Sequence, residues 1–258
     1  MICQRCDRPI CPSCMHQASV GFHCPECAKQ GRQNVVTARS LVTKPVVTTA
    51  LVAANLAIFV ADAVSGGGGT DLGEWGTKGA LFGPAVAAGD WWRPLTSGFL
   101  HIGLWHVGFN MFLLWQLGGL LEPAVKRWGF SALYVMSLLG GSFLTLVLDN
   151  DAVTVGASGA VFGLMAATFV AMRSRGINPF QTGIGPLLLI NLFLTFAIPN
   201  ISVGGHIGGL VAGGVGGVIL WELGPRLGPR SPLPVVACAA IAAALYVGCL
   251  VVAQPFSP

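Results

Sequence analysis

Two apolar stretches of this sequence each hold a polar residue that a hydrocarbon environment penalises. Ser158 lies in Gly156-Ala157-Ser158-Gly159, and His206 lies in Gly204-Gly205-His206-Ile207-Gly208-Gly209. Neither side chain can be hydrated there, so each needs a protein partner. A serine at the first turn of a helix sits among unpaired backbone N–H groups at the positive end of the helix dipole, a setting suited to an oxyanion. Gly156 and Gly159 allow a tight turn and the close approach of a second backbone. One reading makes Ser158 a nucleophile and His206 its general base. The other makes them an N-cap serine and a hydrogen-bonded core histidine.

A second polar pair is His106 and Asn110, spaced i and i+4 and therefore on one face of a helix. Two such side chains on an otherwise apolar helix suit donors aimed at a developing oxyanion; alternatively they form a structural interhelical pair. Phe162, one turn after Ser158, is placed to pack against the imidazole ring. No aspartate shares this level, so the pattern implies a Ser-His dyad rather than a triad.

The third cluster is at the N-terminus. Cys3-x-x-Cys6, Cys11-x-x-Cys14 and Cys24-x-x-Cys27 are three ligand pairs, with His16 and His23 between the second and third. In a cytoplasmic segment this spacing means structural zinc rather than disulfides. The first and third pairs can close one tetrahedral site. Cys11 and Cys14 then need two more ligands, and His16 and His23 are the local candidates, so one or two ions are expected. Cys238 and Cys249 stand alone in an apolar run and read as packing residues.

The elements that must position these residues are membrane spans. Hydrophobic residues make up 53% of the 258-residue chain and charged residues only 9%, with a mean hydropathy of +0.72. Soluble domains carry about a quarter charged residues. Seven apolar runs follow a polar start that lacks a signal peptide: 46–64, 100–121, 130–148, 158–172, 184–198, 201–221 and 235–252. With the N-terminus cytoplasmic, 12 of the 14 Lys and Arg residues fall on the inner side, leaving only Lys78 and Arg93 outside. The net charge of +4 is thus a topology signal and not a sign of nucleic-acid binding. This reading places the C-terminus outside. It divides the chain into a Cys/His module (1–31), a basic linker (32–45), a membrane domain (46–252) and a tail (253–258).

Topology also sets depth. At about 1.5 Å per residue the fourth run covers roughly 22 Å of a ~30 Å hydrocarbon core. Since that run ends at Arg173 on the inner face, Ser158 starts below the outer surface, and residues 153–157 must dip in as non-helical backbone. His206, roughly 7 Å into the sixth run, and His106 in the second fall at the same level. Glycines at 205, 209, 213 and 217 form a ridge without side chains, matched by Gly159 and Gly163. Two such faces can pack closely enough to bring imidazole to hydroxyl.

With Trp92-Arg93, His101, His106, Asn110, Glu122, Gly-Ala-Ser-Gly at 156–159 and the glycine-flanked His206 in place, residues 46–252 resemble a rhomboid intramembrane serine protease. The resemblance implies an all-α polytopic membrane protein, with a rhomboid six-helix core plus one C-terminal helix and a small N-terminal zinc-binding module. It implies Ser158 as nucleophile and His206 as base, with His106, Asn110 and the Ser158 N–H as the oxyanion hole. No cofactor is expected for catalysis. The implied substrates are single-pass membrane proteins, cut near the outer face of the plasma membrane. The first 31 residues resemble the B-box-type zinc-binding segment preceding some bacterial rhomboids, which has one more Cys/His pair upstream. That pair is missing here, which leaves the second site degenerate or the true start further upstream. The module is expected to recruit a cytoplasmic partner or to regulate. A non-catalytic rhomboid-like chaperone or scaffold that binds transmembrane helices is the alternative, and the Ser-His pair argues against it.

Overall fold

The computed structural model of the protein describes residues 1–18, 20–30, 44–67, 71–199, 201–228 and 230–255. The chain forms two compact units, Met1–Thr43 and Lys44–Pro258. Positions 31–43, which hold most of the expected linker with Arg32 and Arg39, lie outside the described residues, as do Gly68, Gly69 and the last three residues of the tail.

The first unit contains a 3-10 turn at Pro12–Cys14, a hairpin of β1 (His16–Gln17) and β2 (Phe22–His23), and helix α1 (Pro25–Gln30). The hairpin pairs His16 with His23 and Gln17 with Phe22. Its interior is Cys3, Ile10, Cys24 and Cys27, with Cys6 and Met15 packed against them. A segment this short cannot cover a hydrocarbon core, and most of what it buries is sulfur.

The second unit is helical. Helix α2 (Val46–Asp62) leads into a long connection carrying short helices α3 (Glu74–Gly79), α4 (Gly83–Ala87) and α5 (Arg93–Thr96). Then come α6 (Leu104–Leu148), α7 (Ser158–Arg173), α8 (Ile184–Ala197), α9 (Val203–Gly217, continued by a π turn at Val218–Leu223) and α10 (Leu233–Val252). Four stretches, 46–66, 104–148, 203–227 and 233–252, are long and apolar enough to cross a membrane, and α7 and α8 are shorter apolar helices. At 45 residues, α6 would run for roughly 68 Å, twice a bilayer core. It is two limbs, broken at Lys126, whose φ of 62° is left-handed and non-helical, three residues after Pro123. With its two limbs counted separately, the described residues hold seven apolar helical segments, of which α7 and α8 are the short ones. Leu104, Trp105, Phe109, Phe112, Trp128 and Phe193 are all exposed, the inverse of a soluble surface. The chain is a multi-pass membrane protein.

The apolar run that opens at residue 100 becomes helical at Leu104. Gly103 adopts φ 80° there and residues 97–99 form a 3-10 turn, so His101 precedes the helix.

Buried polar groups act as splints. The Glu122 carboxylate accepts from the Val47 and Thr48 N–H groups at 2.9 and 2.8 Å and from the Thr48 hydroxyl, capping α2. Arg93 donates to Asp90 and to the carbonyls of Thr77 and Ala80, knitting the long connection together, and the Trp92 indole donates to the Lys78 carbonyl. Ser202 caps α9 by accepting from the Gly205 N–H at 3.0 Å. Cys238 and Cys249 are fully buried packing residues on α10.

Glycine sets how closely α6, α7 and α9 approach. A methyl group at Gly209 would lie on the Gly159 carbonyl, and one at Gly213 on the backbone of Gly163. At Gly159 it would come within 2.9 Å of the Gly205 carbonyl, and at Gly217 within 3.0 Å of the Ala167 Cα. The second limb of α6 joins the same contact, since a methyl at Gly141 would sit 2.6 Å from the Gly205 carbonyl. Backbones therefore touch where side chains normally intervene.

Candidate active site

Residues 153–157 are non-helical, with Gly156 at positive φ and Ala157 turning into the next helix. Leu81 and Thr154 form an antiparallel bridge, with N–H to O distances of 3.0 and 2.9 Å, and the Gly156 N–H donates to the Ser97 carbonyl at 2.9 Å. The Ala157 N–H donates to His101 Nε2 at 3.3 Å. Thr154, Gly156 and Ala157 of this non-helical stretch thus each have a hydrogen-bond partner. His101 serves as one of its anchors.

Helix α7 begins at Ser158 itself, so the serine lies in the first turn with unpaired N–H groups around it. Ser158, His206, His106 and Asn110 all line one cavity of about 640 Å³. His206 is buried, and the Phe162 ring stacks on it at a centroid distance of 4.1 Å with the planes 20° apart. His106 sits edge-on to His101 at 5.0 Å. Asn110 Nδ2 donates to the His106 carbonyl at 2.9 Å, which uses one of its two hydrogens and leaves the other for a ligand.

Gly156 borders this group. Its φ is 128°, a conformation that side chains rarely adopt. A methyl group there would lie 2.7 Å from His106 Nε2 and 3.6 Å from the Ser158 hydroxyl oxygen. A side chain at 156 would therefore press on His106 beside Ser158, and glycine keeps the imidazole and the hydroxyl unobstructed.

One contact was missed in the sequence. Thr195, from α8, places its hydroxyl oxygen 2.7 Å from His206 Nδ1. The run 184–198 read as uniformly apolar, yet Asn191 and Thr195 sit at i and i+4 within it, the same polar signature noted for His106 and Asn110. That spacing was the available signal.

In the first unit, the sulfurs of Cys3, Cys6, Cys24 and Cys27 all lie within 4.8 Å of one another. Cys6 and Cys24 are 3.8 Å apart, matching the ~3.8 Å sulfur separation of a tetrahedral site with zinc–sulfur bonds of about 2.3 Å. Backbone N–H groups of Cys24 and Cys27 point at the sulfurs of Cys3 and Cys24. Burial would raise the Cys3 thiol, but the N–H donors of Cys24, Arg5 and Cys6 bring it down to about 6. Cys27, sharing hydrogen bonds with Cys6 first and buried besides, is pushed up to about 12. One thiolate forms easily and the last resists, unless a cation neutralises the cluster. The set fits a structural metal ion. Cys11 and Cys14 stand apart, with their sulfurs 2.7 Å from each other and exposed. His16 and His23 face one another across the hairpin. Among the described residues these four do not gather into a second cluster.

The family profile for the rhomboid domain matches residues 88–223, more than half of the chain. The chain is 35% identical to "Rhomboid protease GluP" of Bacillus subtilis over 173 residues, covering 66% of this chain and 34% of that protein. It is 36% identical to "RHOMBOID-like protein 5" of Arabidopsis thaliana over 165 residues, covering 60% of this chain and 52% of that one. It is also 31% identical over 135 residues to "Inactive rhomboid-related protein 2" of Caenorhabditis elegans, covering 47% and 38% respectively. The chain thus spans between about a third and a half of the length of these relatives. The matched segment carries Ser158, His206, His106, Asn110 and the glycine contacts around them, and the chain belongs to the rhomboid family.

Proposed function

We propose that the protein is an intramembrane serine endopeptidase that cuts transmembrane segments of single-pass membrane proteins near the outer face of the plasma membrane. The observation that carries this reading is the shared cavity, which Ser158 reaches from the first turn of α7 and His206 from α9, with His106 and Asn110 opposite. In it, Ser158 attacks a peptide carbonyl and gives its proton to His206. The developing oxyanion is met by His106, the Asn110 amide and the Ser158 N–H, which line the same cavity. The protonated His206 then returns its proton to the leaving amine, and water releases the acyl group from the serine by the same route.

A chaperone or scaffold reading is favoured by one observation, the similarity to a relative whose name calls it inactive. Retention of both Ser158 and His206 in one cavity supports the enzyme instead. Cleavage of single-span substrates reconstituted in bilayers separates the two: a scaffold binds such segments and leaves them whole.

Asn110→Ala is expected to lower turnover on the order of 10²–10³-fold, the usual loss for one oxyanion donor, with little change in KM. A structural role would instead lower the melting temperature and spare turnover in the folded fraction.

The N-terminal unit is proposed to hold one structural zinc ion through Cys3, Cys6, Cys24 and Cys27, on the cytoplasmic side, and to recruit a partner or regulate rather than to catalyse. Zinc analysis of the full chain is expected to give about one ion per chain, lost in a Cys3→Ser, Cys27→Ser double variant that still cleaves substrate. An unchanged zinc content would remove this assignment of the ligands.

A further inference from the structure

Helix α8 is held loosely. Of its 14 residues only Gly185 and Thr195 are buried, and Thr195 is 1% exposed. Its hydroxyl has two neighbours: the Asn191 carbonyl at 2.8 Å and His206 Nδ1 at 2.7 Å. A hydroxyl has one proton to give and can accept as well. The Asn191 carbonyl can only accept. If Thr195 gave its proton to Nδ1, the carbonyl contact would lose its hydrogen. If Nδ1 carries the proton, the imidazole donates to Thr195 and Thr195 donates to Asn191. Both contacts are then hydrogen bonds, each with its own proton.

We propose that Thr195 is a positioning residue that holds His206 in its Nδ1–H tautomer, leaving the Nε2 lone pair as the atom that takes the Ser158 proton. The inference rests on the Ser158–His206 reading and adds to it the group that replaces the missing aspartate. Stacking on Phe162 fixes the plane of the imidazole, and the Thr195 bond fixes its rotation within that plane. When Nε2 gains the serine proton, Nδ1–H becomes the donor of a charge-assisted bond to the same oxygen, so the contact strengthens as the reaction proceeds. Thr195 stays neutral throughout and takes no proton.

The test is nitrogen NMR on the full chain with ¹⁵N-labelled histidine, paired with steady-state cleavage. In the unaltered protein neutral His206, identified by its loss in His206→Ala, is expected as the Nδ1–H form. Thr195→Val keeps the shape but removes acceptor and donor. It is expected to lower kcat roughly 10- to 100-fold, within the range a general base contributes, to leave KM within about twofold, and to shift His206 toward the Nε2–H form. Thr195→Ser should restore both the tautomer and kcat. Finding His206 as Nε2–H in the unaltered protein overturns the proposal even if Thr195→Val does not fold. So does a folded Thr195→Val with unaltered kcat. Failure of the parent reading has a separate signature, namely undiminished cleavage by Ser158→Ala.

Discussion

Ser158→Ala and His206→Ala are each expected to abolish cleavage of a transmembrane substrate while leaving the protein folded. The two groups act as one unit, so removing either should cost about as much as removing both, on the order of 10⁴-fold or more. The double variant should therefore be no worse than the singles. Neither replacement touches the glycine contact itself, although the buried His206 ring stacks on Phe162 of α7. Ser158 is half-buried at the cavity wall, while the α7–α9 contact is made by glycine backbone. The melting temperature is expected to stay near that of the unaltered protein for Ser158→Ala and to fall modestly for His206→Ala, which removes a buried ring stacked on Phe162 and bonded to Thr195. An additive loss in the double variant, or a folded single variant with full activity, would show that the residues do not work as a pair.

The second large effect is expected at glycines that carry no chemistry. Gly213→Ala and Gly209→Ala place a methyl group on the backbone of Gly163 and Gly159, which has no side-chain end to swing aside. Overpacking of this kind costs about 1–3 kcal/mol or more. It also pushes α9 off α7 near the level at which His206 must meet Ser158, so activity should fall further than stability. Gly108→Ala and Gly119→Ala are the controls: both lie in α6 and a methyl at either meets nothing within 4 Å. In a helix the same change should be neutral or stabilising by up to about 1 kcal/mol. Thermal midpoints and cleavage rates of the four variants check the contrast. Equal behaviour would mean that the glycine ridge is not what sets the helix spacing.

How far the site could be read in advance depended on the kind of information required. Depth along each span follows from length, charge bias and rise per residue, and this was sufficient to bring Ser158, His206 and His106 to one level. The close contact of α7 and α9 was legible because glycine at a spacing of four leaves a groove on one helix face. The dip at 153–157 followed from a run too short to cross the core. Rotation about each helix axis and the identity of its neighbours were not legible. For that reason Thr195 escaped notice although it lies in a marked span, and so did Gly140 and Gly141, which press the second limb of α6 onto α9. Hydropathy does not mark the start of α6, since it continues through residues 100–103 while Gly103 turns the backbone out of the helix. In the N-terminal unit, spacing identified the ligand pairs, and the four-cysteine set among them was the one expected to close. Hairpin register, which spacing does not reveal, decided that His16 and His23 pair with each other.

Whether Ser158 is a nucleophile activated by His206 is read most directly by covalent capture with a serine-reactive fluorophosphonate, using the full chain in a bilayer and mass spectrometry of the labelled peptide. One adduct per chain is expected, carried on Ser158, formed at a rate that collapses in His206→Ala and blocked by a competing transmembrane substrate. A protein that cleaves substrate but carries the adduct on another residue, or labels Ser158 equally fast without His206, would contradict this pairing of nucleophile and base.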